Sequence, residues 1–248
     1  LLTLSGATPF TATSNNPFIV SEVANGRVIL TSGAKTFDID GVKAPGSSSI
    51  LTDVLPSLHI SSILTGTSVS VTKTGNGLLQ LSGANEFTGG LTVSDGGIIV
   101  SASSTPTQGG NGLLGGPLGT GTVTMASGTR LLAGAGNFQV GNAITFQGVP
   151  RFAALEAGTP RTLTLNGTIT GLPNGTPEIN IASPWVTVAL RGVIPNIANI
   201  SAFNKTGLGA LVFNAAGYAG AFNATALGNP YSVSLLHDGD GTAAPQTL

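Results

Sequence analysis

The 248-residue chain contains no cysteine, which removes disulfides, thiolate metal sites and cysteine nucleophiles at once, and its two histidines leave little to hold zinc. Charge is nearly as scarce. Nine Lys plus Arg and ten Asp plus Glu make up 8% of the residues, against about 25% in an ordinary soluble domain, and the net charge is −1. No basic stripe exists to neutralise phosphates, which argues against DNA and RNA as partners, and there is no acidic tail. No apolar run approaches the ~18 residues of a transmembrane helix. The first residues, Leu1-Leu2-Thr3-Leu4-Ser5, lack the basic and apolar regions of a signal peptide.

What the chain has instead is glycine, at 37 residues, with 31 Thr, 22 Ser and 17 Asn. An apolar share of 41% is too high for a disordered low-complexity linker. Helical periodicity is hard to find, and 14 prolines among the glycines would interrupt any long helix. Short alternating runs recur: Leu79 and Leu81, Leu91 and Val93, Val123 and Met125, Ile144 and Phe146, Leu163 and Leu165, Ile179 and Ile181, then Val186, Val188 and Leu190. Thr, Ser, Gln and Asn fill the positions between them, so the chain reads as all-β with two-faced strands.

Internal repetition bears on how those strands are arranged. Residues 2–11 (LTLSGATPFT) align without gaps on 79–88 (LQLSGANEFT), an offset of 77. Residues 73–79 (KTGNGLL) match 205–211 (KTGLGAL) at an offset of 132, continuing loosely to Gly220, and 58–66 match 163–171 at an offset of 105. The last two offsets differ by 27 residues, about one coil of a three-stranded β-solenoid. In a solenoid each strand pairs with its equivalent one coil away, and the corners demand small residues with positive φ, which Gly supplies. A β-sandwich spaces its strands similarly, so it stays open as the alternative. The expectation is a single β-helix segment over 1–248, with 2–11, 73–91 and 205–220 as related copies, and with ends that look like an interior stretch of something larger.

The run from Lys73 to Gly97, KTGNGLLQLSGANEFTGGLTVSDGG, resembles the autotransporter-associated β-strand repeat, also called the passenger-associated transport repeat. The similarity continues into Leu118-Gly119-Thr120-Gly121 and the weaker copies. It implies a right-handed parallel β-helix on an exported bacterial protein, at the cell surface or outside the cell, and at roughly 20 to 27 residues per coil the chain would make about ten coils. It implies no catalytic residues and no cofactor. The motif positions are structural: Lys73, Gly75, Gly77, Leu79, Leu81, Gly83, Asn85, Phe87 and Gly89, with Lys205, Gly207 and Gly209 in the later copy. The functional expectation is a non-enzymatic structural or adhesive rod that associates with its own kind into oligomers or filaments. A polysaccharide-active or glycan-binding β-helix is the alternative.

Several side chains bear on that alternative. Asp38 and Asp40 lie two apart, so in a strand both point one way, as paired carboxylates of glycan hydrolases must, although exposed acids usually only solvate a face. His237-Asp238-Gly239-Asp240-Gly241 alternates like a calcium turn but lacks the repeating nonapeptide, so no metal is expected. His59 falls at an outward position and reads as solvated, without an acyl-transfer partner. Trp185 reads by default as core, with a carbohydrate-stacking platform as the other possibility. The glycine-rich run 109–116 reads as a loop, and five Asn-x-Ser/Thr sequons start at Asn166, Asn174, Asn199, Asn204 and Asn223.

Overall fold

The computed structural model describes residues 2–4, 10–12, 21–23, 26–31, 33–43, 55–110, 112–155, 158–213, 221–224 and 233–235. Within them the chain is β apart from one 3-10 turn at Ile197–Asn199. Strands recur in a fixed order around three faces. The second face stacks seven strands, Phe10–Ala12, Lys35–Ile39, Val71–Thr74, Leu91–Val93, Val123–Met125, Ile144–Phe146 and Ile169–Thr170. The third stacks nine, beginning at Ser21–Val23, Leu58–Ile60, Leu78–Leu81 and Gly97–Val100 and ending at Ala221–Ala224. The first face is split. Leu2–Leu4, Arg27–Leu30 and Ile63–Thr65 form its lower part, and Phe138–Val140, Arg161–Leu165, Val186–Leu190, Ala210–Phe213 and Val233–Leu235 its upper part.

All pairings between rungs of these three faces are parallel, so the solenoid reading holds and the two-layer sandwich is excluded. Register partners lie as little as 19 residues apart, Leu79 with Ile98, and as much as 37, Ser21 with Leu58. Turns of unequal length thus advance the stack by the same single rung. One such turn corrects the loop expectation for 109–116: Leu113–Gly115 is a strand, paired antiparallel with Thr105–Pro106 in a hairpin. Its Leu114 is 61% exposed, while Leu113 lies against Gly141 and Gly115 is buried beside Ala84 and Asn85.

The axis is filled by the residues that alternation assigned to it. Leu79, Leu81, Leu91, Val93, Val123, Met125, Ile144, Phe146, Leu163, Leu165, Ile179, Ile181, Val186, Val188 and Leu190 belong to one continuous core with Phe37, Phe87, Phe152 and Phe203. Each such side chain contributes roughly 1.5–3 kcal/mol by leaving water, which is why short strands suffice when stacked. Alternation alone fails on the third face, where Leu78, Ile99, Leu132 and Ala153 form a second apolar cluster on the outer side. Gly97 makes room for it, because a Cβ there would meet Leu78 Cδ2 at 2.9 Å and Leu132 Cδ1 at 3.2 Å.

The related copies do not occupy equivalent faces. Lys73 is the penultimate residue of a second-face strand that leads into the third face, whereas Lys205 is the penultimate residue of a third-face strand that leads into the first. Residues 58–66 pass from the third face to the first, and 163–171 from the first to the second. One pair is thus separated by five turns and a face, the other by four turns and a face. What repeats is a strand, corner and strand unit that fits any corner of the triangle. Residues 5–9 and 214–220, parts of two copies, and the acidic turn 237–241 lie outside the described residues.

Candidate functional site: the lysine-locked corner

The repeat motif gathers at two corners built alike. Lys73 sits at an inward position of Val71–Thr74 and is fully buried, as is Lys205 in Ala202–Thr206. Each aliphatic stem lies in the core, and each ammonium turns back over the corner to the carbonyl of the glycine two residues on: Lys73 Nζ donates to Gly75 O, and Lys205 Nζ to Gly207 O at 2.7 Å. Lys73 Nζ also donates to Asp95 O at 3.0 Å, one turn further along the stack. Burial pushes the Lys73 ammonium down to about 8, although Asp95, Asp38 and Asp40 pull the other way and Arg130 adds to the depression. Lys205 is likewise lowered by burial.

The glycines that follow answer to the turn beneath. Gly75 has φ of 73° and Gly207 of 77°, the left-handed region, and a Cβ on them would lie 2.5 Å from Ile39 O and 2.3 Å from Ile181 O respectively. The same two carbonyls receive the next amides: Gly77 N donates to Ile39 O at 2.8 Å, and Gly209 N to Ile181 O at 2.9 Å. The threonine after each lysine completes the likeness. Thr74 Oγ1 donates to Asp38 Oδ1 at 2.8 Å, and Thr206 Oγ1 to Glu178 Oε1 at 2.7 Å, each acid lying one turn below. Lys-Thr-Gly-x-Gly is therefore a corner in which every residue type except x has a stated bond or steric reason.

Further along the motif, Leu79 and Leu81 enter the core, and Gly83 packs where a Cβ would meet Ser62 O at 2.3 Å. Asn85 stands where the first face has no strand. Fully buried, it accepts from Leu64 N at 2.8 Å on the turn below and donates through Nδ2 to Pro117 O at 2.7 Å on the turn above. Its backbone exchanges both bonds with Gly116, N to O at 2.9 Å and the reverse at 3.0 Å. Phe87 is buried against Gly119, whose Cβ would lie 2.6 Å from the ring, and Gly89 lies so close to the turn below that a Cβ would meet Val69 C at 2.5 Å. Sequence reading missed the counterpart, Asn142, which is buried and donates to Gly119 O at 3.1 Å and Gly121 O at 2.8 Å.

The remaining candidates are dispersed. Asp38 is half-buried and held by Thr74, and Asp40 pairs with Lys43 at 3.8 Å, both on the outer surface near the corner. Lys73 lies one turn further along the stack but is turned inward. Among the described residues no group of three or more His, Asp or Glu is arranged to hold a metal ion. His59 faces outward as read, yet it is half-buried and its Nε2 lies 2.8 Å from Ser82 Oγ, a partner that sequence spacing could not reveal because it sits one turn away. Gln80 Nε2 meets Ser101 Oγ at 2.9 Å in the same relation one turn later, which marks the His59 contact as part of a polar ladder. Trp185 departs from the core expectation: it is 37% exposed at a corner, with Leu208, 43% exposed, at the same corner one turn on.

Residues 71–100 match the family model described as the passenger-associated-transport-repeat. No curated protein and no solved structure matches the chain. The matched stretch opens at the Lys73 corner, continues through Asn85 and Phe87, and closes on the third-face strand Gly97–Val100. The chain therefore carries a passenger-associated transport repeat, laid over successive turns of a parallel β-solenoid whose corners it builds.

Proposed function

We propose that the chain is a non-catalytic segment of a bacterial surface or extracellular fibre protein, of the autotransporter-passenger kind, serving as a rod that projects, stacks and adheres. The matched repeat supports export, and the observation that carries the rod reading is the nine-rung third face, whose strands pair in parallel from Ser21–Val23 to Ala221–Ala224. The repeat motif places its lysines inside corners, where they lock turns together and are turned away from solvent. With 8% charged residues, little self-repulsion opposes close approach of two copies. Multi-angle light scattering over a concentration series tests self-association. A mass that climbs above the monomer supports it, and a monomer at every concentration ends it.

A glycan-binding surface is favoured by one observation, the exposed Trp185 beside Leu208 on the corner between the third and first faces. An indole offers the flat apolar face on which sugar rings stack. Binding on a glycan array that vanishes in Trp185→Ala would establish it, and an array silent for the native chain would remove it.

A further inference from the structure

The second face repeats one side chain on six consecutive rungs. Thr36 pairs with Thr72, Thr72 with Thr92, Thr92 with Thr124, Thr124 with Thr145 and Thr145 with Thr170, all parallel and without a register shift. All six point away from the core and are half-buried by one another's company. A β-branched side chain confined to such a column has few rotamers, and its Cβ positions recur at the rung spacing of roughly 4.8 Å over about 24 Å. The hydroxyls of Thr145 and Thr170 lie 2.8 Å apart.

The rows on either side are as plain. Backbone bonds continue the ladder through Ser70, Gly90, Thr122, Ala143 and Thr168 before the threonine strands, and through Ser94, Ala126 and Gln147 after them. None of these residues is charged or aromatic, and the charge in the following row, Asp38 two residues after Thr36, is held by Thr74 Oγ1 at 2.8 Å at the lower end of the column. The other faces differ, with Arg130 and Arg151 standing on the third and Arg27 with Glu86 on the first.

Three classes of occupant fail on this surface. A protein partner requires about 800 Å² per side, whereas a patch of about 24 Å by three or four residues offers roughly 300 Å². Nucleic acid requires cations, and glycans favour aromatic platforms; the face provides neither. What fits is a ligand recognised by its period rather than by area or charge. The rung spacing lies close to the oxygen repeat along one axis of hexagonal ice, so a rank of threonine side chains at that period can order water into register with the lattice. We propose that the second face, through Thr72, Thr92, Thr124, Thr145 and Thr170, binds the surface of ice. The inference stands on the fold alone and is independent of the rod's proposed role.

The test uses the full chain in frozen sucrose solution, reading ice grain growth, with thermal hysteresis measured alongside. The native chain is expected to hold grains small at micromolar concentration. Thr92→Tyr combined with Thr124→Tyr, which breaks the flatness, should need at least about tenfold more protein, while Thr187→Tyr on the first face should match the native chain. Thr92→Ser with Thr124→Ser, which keeps hydroxyls but removes the methyls and frees the rotamers, should weaken the effect comparably, with circular dichroism unchanged. Grains that coarsen as in buffer alone, or second-face variants as active as the native chain, would overturn the proposal.

Discussion

Lys73 combines full burial with a titration range that can be tested directly. Its ammonium is depressed to about 8 from 10.5 by desolvation, so between these values the unfolded chain binds a proton that the folded chain does not. Stability therefore rises as pH climbs from about 8 to about 10.5, by up to about 3 kcal/mol for this group at 1.36 kcal/mol per unit. Urea unfolding at pH 7 and pH 10 should show that gain in the native chain and a smaller one in Lys73→Met, the remainder including Lys205, which shifts in the same direction. Equal gains in both proteins would contradict the buried-lysine reading. Gly75→Ala forces a side chain into the left-handed region and onto Ile39 O, and should cost about 2–4 kcal/mol. Asn85→Ala strands the Leu64 amide and the Pro117 carbonyl, and should cost about 2–4 kcal/mol by the same unfolding measurement. A loss below ~0.5 kcal/mol in either variant would mean that the corner bonds are dispensable.

At the level of the element, a turn can be removed whole but not in part. Arg161 pairs with Val186, so deleting 161–185 brings Val186 into the place Arg161 held and preserves the inward pattern on the first face. Nearest-neighbour stacking predicts that this protein keeps its β circular dichroism with a Tm lowered by several degrees, whereas deleting 161–173 breaks the phase and should abolish cooperative melting. Replacing 105–115 by a short glycine linker removes the hairpin and should leave the melt close to native. These elements differ in how far the sequence foretold them. The inward residues were legible because a strand's period of two is local, and the Lys-Thr-Gly run was legible as a repeated motif, although most of its bonds reach a neighbouring turn. The His59 and Ser82 contact, the Asn142 bridge and the outer cluster of Leu78, Ile99 and Leu132 were not, since each depends on which residues the next turn brings alongside.

Taken as a whole molecule, the stack turns unequal lengths of sequence into equal steps along an axis. Turns of 19 and of 37 residues advance the third face by the same single rung, which is why the repeat offsets read off the sequence were not multiples of one number. The offsets carried a fraction of a turn as well, invisible until the copies were placed on different faces. Because the native chain lacks cysteine, spin labels can be set without background at chosen rungs. The most direct measurement is the electron–electron distance between a label at Thr36→Cys and one at Thr145→Cys, then at Thr170→Cys. Labels in one column should lie about 19 Å and about 24 Å apart, the second pair longer by one rung although 25 residues separate Thr145 from Thr170. Broad distributions, or a step well beyond one rung, would contradict a parallel stack.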